Sequence, residues 1–251
     1  MSARGSARIA CVGDVHMGPD AAGVFSPLFK QVNETADLFL LAGDLTRVGA
    51  VREAEAFAEE LEVVDVPMVG VLGNHDFHAD CPDEVCAVLE QAGVRMLEGD
   101  ALVVDCGGTR VGVAGTKGFG GGFLGASGSD FGEPEMRAFI EHSKQLASSL
   151  ESALESLAGC CEVKIALTHY SPVAGTLEGE RHEIYPFLGS YLLGDAIDAA
   201  GADLAVHGHA HGGSEQGLTP AGIPVRNVAL PLIKDPFRVF VVGDVTEPVP
   251  A

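Results

Sequence analysis

Tryptophan is absent and tyrosine occurs three times in 251 residues, so the aromatic content comes mainly from 12 phenylalanines. Basic side chains are scarce: 15 lysines and arginines stand against 36 aspartates and glutamates, a formal charge of −21 at pH 7 with histidine neutral. A field of that sign repels a phosphate backbone, which argues against a general DNA or RNA binder. No apolar run approaches the roughly 20 residues that a bilayer-spanning helix needs. Stretches such as residues 63–72 are interrupted by Asp65 or Gly70. Residues 1–8 are followed by only a few apolar residues before Asp14, too few for the about 7–15 of a signal-peptide core, so the expected location is the cytoplasm. The six cysteines (Cys11, Cys81, Cys86, Cys106, Cys160 and Cys161) form no C-x-x-C pair, which suggests neither a zinc ribbon nor a disulfide-dense scaffold. The adjacent Cys160 and Cys161 read as small residues at a helix end, with a redox element as the alternative.

What is present describes a folded chain. Hydrophobic residues make up 47% and charged ones 20%, and the length suffices for one globular domain spanning residues 1–251. Short β-branched runs at 9–13, 38–42, 67–72, 110–114, 163–168 and 204–206 read as buried strands. Segments 50–63, 83–92 and 133–158 have helical periodicity, the last two ending at Gly93 and Gly159. This alternation predicts a layered α/β domain. Towards the carboxyl terminus, 223–228 and 238–242 are strand-like and separated by Pro231 and Pro236, which predicts a second, more antiparallel sheet portion there. Segment 118–132, rich in glycine with Phe119, Phe123 and Phe131 interleaved, reads as a mobile loop, either a plain connection or a substrate lid.

Polar clusters follow the carboxyl ends of five of these strands: Gly13-Asp14-Val15-His16, Gly43-Asp44, Gly73-Asn74-His75-Asp76, Thr168-His169 and His207-Gly208-His209-Ala210-His211. In open α/β sheets that edge is where loops converge on a ligand. Extended alternation places Asp14 with His16, and His209 with His211, on one side of the chain. Preceding glycines permit sharp turns and close backbone approach. Asp14, His16, Asp44, Asn74, His169, His209 and His211 make a nitrogen and oxygen donor set without sulfur, suited to manganese, iron, zinc, cobalt or nickel. That is more than one tetrahedral ion requires. Two ions about 3.5–4 Å apart with a shared carboxylate would use them all, an arrangement suited to displacement at phosphorus. Two divalent ions bring four positive charges, two aspartates remove two and a bridging hydroxide one, leaving a positive pocket inside an anionic protein.

These motifs, in this order from residue 13 to 211, resemble the calcineurin-like metallophosphoesterase superfamily. The resemblance implies a four-layer α-β-β-α sandwich with two mixed β-sheets, and two divalent or mixed-valence transition metal ions as cofactors. It would put Asp14, His16 and His211 on one ion and Asn74, His169 and His209 on the other, with Asp44 bridging. His75 matches the family's histidine that contacts the phosphate and protonates the leaving oxygen, with a metal-bridging hydroxide as nucleophile. Asn74 and His75 would thus touch the substrate. Asp76 matches an acid that orients that histidine. His207 falls outside the Gly-His-x-His register and reads as a hydrogen-bond partner behind the ligands. His78, Lys117, Arg181, His182 and Asn227 are substrate-contact candidates by loop position alone, and ordinary solvated loop residues otherwise.

Within the superfamily, Gly43-Asp44-Leu45-Thr46-Arg47 lacks the second aspartate of the serine/threonine phosphoprotein phosphatases. His75 stands where the lipid-A-pathway hydrolases have arginine. Gly73-Asn74-His75-Asp76 looks like the bacterial phosphodiesterases, so a small, nucleotide-like phosphoester is the expected substrate. A phosphomonoesterase, a non-catalytic binding scaffold on the same fold and a metal-storage protein remain as alternatives. The resemblance also implies a homodimer.

Overall fold

Leu38–Ala42 is apolar at every position, and a strand without a polar face has to be covered on both sides. The computed structural model, which describes residues 5–243, covers it so. Leu38, Leu40 and Ala42 face one core cluster with Ile9, Val69, Val113, Ile165 and Leu167. Phe39 and Leu41 face the opposite way, onto Phe29, Phe57, Leu61 and Leu89. Residues 1–4, the first half of the amino-terminal stretch considered above, lie outside the described residues, as do 244–251.

In chain order the strands are β1 (Ser6–Val12), β2 (Leu38–Ala42), β3 (Met68–Val71), β4 (Val94–Met96), β5 (Asp100–Cys106), β6 (Thr109–Thr116), β7 (Gly122–Phe123), β8 (Ala126–Ser127), β9 (Val163–Thr168), β10 (Leu204–His207), β11 (Gln216–Leu218), β12 (Pro224–Asn227) and β13 (Arg238–Gly243). The longer helices are α1 (Val51–Leu61), α2 (Pro82–Gln91), α3 (Pro134–Ser156) and α4 (Tyr191–Ala200). α2 and α3 each start on a proline, whose missing N–H costs nothing in the first turn.

One sheet has the order β13-β1-β2-β3-β4 and the other β11-β12-β10-β9-β6-β5. Both are mixed: β1 to β4 run parallel with β13 antiparallel at the edge, while β6, β9, β10 and β12 run parallel between antiparallel β5 and β11. The sheets pack face to face through the cluster around Leu40 and Ile165. Phe57, Leu61, Val85 and Leu89 of α1 and α2 cover the outer face of the first sheet. Leu150 and Leu154 of α3, with Leu193 and Ile197 of α4, cover Ala114, Ala166 and Ala205 of the second. The result is the four-layer sandwich. Phe57→Ala removes a fully buried ring from the outer layer and is expected to cost about 3–5 kcal/mol, read as a lower denaturation midpoint.

Two expectations need correction. The carboxy-terminal strands do not form a sheet portion of their own: β12 joins the second sheet beside β10, and β13 closes the edge of the first beside β1. Val225 belongs to the core beneath α3 and α4, and Val242 to the core between the sheets, so burial assigns the two strands to different sheets. Segment 118–132 is also not a free loop. It holds the β7–β8 hairpin, whose Phe123 packs on Leu177, Leu188 and Ala210, and Gly121 and Gly122 donate to the carbonyls of Pro186 and Gly189 at 2.7 and 2.8 Å.

Candidate metal and active site

β1, β2 and β3 of one sheet and β9 and β10 of the other all deliver their carboxyl ends to the same edge of the sandwich. The residues just beyond those ends meet there. Asp14, His16 and His211 bring donor atoms within 4.8 Å of one another, as do His16, Asp44 and His75, and again Asp44, His169 and His209. Asp44 and His16 each belong to two groups, which joins the three into one chain of donors.

His211 Nε2 lies 2.8 Å from Asp14 Oδ1 and 3.5 Å from His16 Nε2. His16 Nε2 is 3.9 Å from Asp44 Oδ2. His169 Nε2 lies 3.3 Å from Asp44 Oδ1 and 3.0 Å from Asn74 Oδ1. Backbone carbonyls fix the far side of three rings. His169 Nδ1 donates to Ala42 O at 2.8 Å, His75 Nδ1 to Arg47 O at 2.7 Å and His209 Nε2 to Phe187 O at 3.1 Å. A carbonyl only accepts, so each bond sets the tautomer and leaves the other ring nitrogen as the donor atom for a cation or substrate.

The backbone bends into left-handed conformations to achieve this. Asp14, His16, Asp44 and His209 have φ of 57°, 47°, 51° and 69° and make up four of the six described non-glycine residues at positive φ. Such conformations cost on the order of 1–3 kcal/mol each and persist where surrounding structure enforces them. This corrects the expectation of extended alternation: left-handed turns, not a continued strand, swing Asp14 and His16 together. Glycine is needed at two neighbouring positions for lack of space. A Cβ on Gly73 would lie 2.1 Å from Asp44 Oδ1, and one on Gly208 2.3 Å from Asp14 Oδ2.

The electrostatics fit a cation. Burial opposes ionisation of Asp44, but the charge and hydrogen bond of His169 and the N–H of His75 hold its carboxyl well below the usual range. Burial likewise opposes protonation of His169, yet Asp44 and Asp14 outweigh it and raise its pKa to about 9. His211 is raised chiefly by its hydrogen bond to Asp14. Burial pushes His209 and His207 down to about 4. Without metal, protonated imidazole answers the two carboxylates. The signs give a prediction for chelator-treated protein. His207 and His209, depressed in the folded state, withdraw stability as pH falls from about 6.5 through about 4. His169, raised in the folded state, contributes fully below about 6.5 and is lost as pH rises through about 9. Melting temperature in chelator is therefore expected to peak near pH 6.5, and thermal scans from pH 4 to 9 check it.

The orienting role expected for Asp76 is not what the structure contains. Its carboxylate is fully buried and accepts from Thr46 N at 2.8 Å, Thr46 Oγ1 at 2.6 Å, Gly73 N at 2.8 Å and Leu45 N at 3.3 Å. It fastens the loop carrying Asp44 to the loop carrying Asn74 and His75, while Arg47 O holds the His75 ring. Burial and the charge of Asp44 raise its pKa. His207 is turned from the cluster, with Nδ1 on Gly208 O at 2.7 Å and Nε2 on Thr176 Oγ1 at 2.8 Å. Asn227 is buried and donates to Ala210 O at 2.8 Å, bracing the turn that carries His209 and His211. The His78 ring lies 4.5 Å from that of His75. Arg181 and His182 are exposed. Lys117 is buried, contrary to the solvated-loop alternative. Sequence reasoning passed over Phe77, Tyr170 and the carbonyls of Arg47 and Phe187; the two aromatics stand immediately beside flagged residues.

Residues 7–213 match the calcineurin-like phosphoesterase family, and the chain belongs to it. It is accordingly a phosphoester hydrolase of a family that uses divalent metals. Among solved structures, phosphopantetheinyl hydrolase (PptH) from Mycobacterium tuberculosis superposes with a TM-score of 0.71 at 13% identity, over 97% of this chain and 98% of that one. TT1561 of Thermus thermophilus does so with a TM-score of 0.54 at 19% identity, over 94% and 99%. At these identities the likeness shows the shared sandwich fold. No curated protein matches the chain. Among the described residues no helix is long and apolar enough to cross a membrane.

Proposed function

We propose that the chain, acting as one unit over residues 1–251, is a two-metal phosphodiesterase for small, nucleotide-like phosphoesters. The observation that carries this reading is the run of three donor groups that share His16 and Asp44 and take in His75. Asp14, His16 and His211 would hold one ion, Asn74, His169 and His209 the other, with Asp44 between. The donors are oxygen and nitrogen without sulfur, two carboxylates are buried among them, and ring tautomers are already fixed, so the residues fit manganese, iron, zinc, cobalt or nickel. When bound, two such ions supply positive charge for the phosphoryl oxygens and acidify water for attack at phosphorus.

The chain's own contributions follow from the geometry. Asn74 and His75 contact the phosphoryl group. Arg47 O, by accepting from His75 Nδ1, keeps Nε2 facing the cluster, 4.0 Å from Asp44 Oδ2. With Nδ1–H held on Arg47 O, the ring serves the departing oxygen as the imidazolium, whose second proton sits on Nε2. Asp76 keeps both loops in register, so it supports the histidine's position through the backbone. Six thiols without a disulfide suit a reducing cytoplasm.

The test is a pair of initial rates after manganese loading, on bis(p-nitrophenyl) phosphate and on p-nitrophenyl phosphate, each with a chelated control. Chelator-sensitive diester turnover is expected. Monoester turnover alone would make the chain a phosphatase, and silence on both would favour a binding scaffold.

A further inference from the structure

Beside the donor cluster lies a cavity of about 450 Å³, of a size that takes a small-molecule group. It is continuous with the site. Asn74 lines it, the Tyr170 ring on its wall is 4.4 Å from the ring of His209, and Phe77 shares a turn with His75. Phe119, His142 and Leu146 complete a mainly apolar lining, which Glu98 and one positive charge interrupt.

That charge is Lys117, at the carboxyl end of β6 and 8% exposed. Its Nζ lies 5.2, 4.9 and 5.2 Å from the ring centroids of Phe77, Phe119 and Tyr170. Ring faces stabilise an ammonium but do not replace oxygen or nitrogen acceptors. Among the described residues its one hydrogen bond goes to Gly118 O at 3.1 Å. Glu98, also on the cavity, is engaged instead by Thr116 Oγ1 at 2.6 Å and Lys117 N at 3.0 Å. An ammonium has three donors, and burying one with two unanswered is costly.

A ligand that answers both features is flat and apolar on its faces and carries an acceptor on its edge. An aliphatic chain would fill the space but leave Nζ as it is. A second anion would meet the apolar lining and the charges of Glu98 and Asp44. We propose that this cavity receives the organic group esterified to the phosphate, and that the group is a planar heteroaromatic ring of nucleobase size whose carbonyl or ring nitrogen accepts from Lys117 Nζ. The proposal rests on the phosphodiesterase reading of the donor cluster and names the substrate class for it.

Two diesters with the same leaving group test it: thymidine 5′-(p-nitrophenyl phosphate) and methyl p-nitrophenyl phosphate, with the manganese-loaded full chain. The ratio of their kcat/KM values is expected to favour the nucleoside ester by at least about tenfold, and Lys117→Met and Leu146→Trp should each bring it towards one. A ratio near one in the unaltered protein, or one that neither substitution moves, would overturn the proposal. Thymidine itself, titrated by NMR into chelator-treated protein, gives a second reading independent of turnover. Binding that both substitutions weaken at least about tenfold supports the cavity assignment, and no binding to the unaltered protein contradicts it. If neither ester is hydrolysed, the phosphodiesterase reading fails by itself while the thymidine titration still decides the cavity.

Discussion

Asp44→Asn is expected to lower manganese-dependent diester hydrolysis by at least about 10³-fold and to reduce manganese uptake while leaving the far-ultraviolet circular dichroism unchanged. Asp44 is the carboxylate common to two of the donor groups. It faces His169 on one side and His16 and His75 on the other. The amide keeps the shape of the side chain and the acceptor for the N–H of His75, at 2.7 Å in the parent protein, so the backbone has little reason to move. What it removes is the negative charge at the centre of the cluster. The check is metal analysis after gel filtration together with initial rates. A substituted protein with full metal content and parent rates would remove Asp44 from the reaction.

His75→Ala should separate the two readouts: manganese content stays at the parent level while kcat falls by about 10²–10⁴-fold. The loss should depend on the leaving group. p-Nitrophenolate departs with little need of a proton, so its esters should suffer least, and esters of simple alcohols most. An equal loss for both leaving groups would mean that His75 binds the phosphoryl group without protonating the departing oxygen. Unchanged activity would exclude both roles.

Much of the fold could be read from the chain because its strands are buried on both faces. Leu38–Ala42 carries no polar face, Val163–Thr168 is buried at every position but Lys164, and the helices between the strands have their own periodicity. What escaped were elements with weak patterns. β5 is an edge strand that leaves Val103 exposed, and the ten-residue α4 carries a glycine at Gly194. That β12 and β13 enter different sheets is a long-range fact, decided by where Val225 and Val242 are buried. The polar clusters were legible for a related reason: glycine and histidine directly after apolar strands have little packing purpose there. The manner of convergence was not legible. Left-handed φ at Asp14, His16, Asp44 and His209 depends on tertiary contacts that local alternation does not encode. Asp76 makes the same point, since adjacency to His75 in sequence suggested a contact that the fold gives to Arg47 O.

The central claim is that the donor chain from Asp14 to His209 holds two ions and that hydrolysis requires both. Metal-free protein should be titrated with manganese, with bound metal and bis(p-nitrophenyl) phosphate hydrolysis followed on the same samples. Two equivalents bound per chain, with activity rising as the second is taken up and abolished by chelator, is the predicted result. Saturation at a single equivalent with full activity, or turnover that survives chelation, would contradict it.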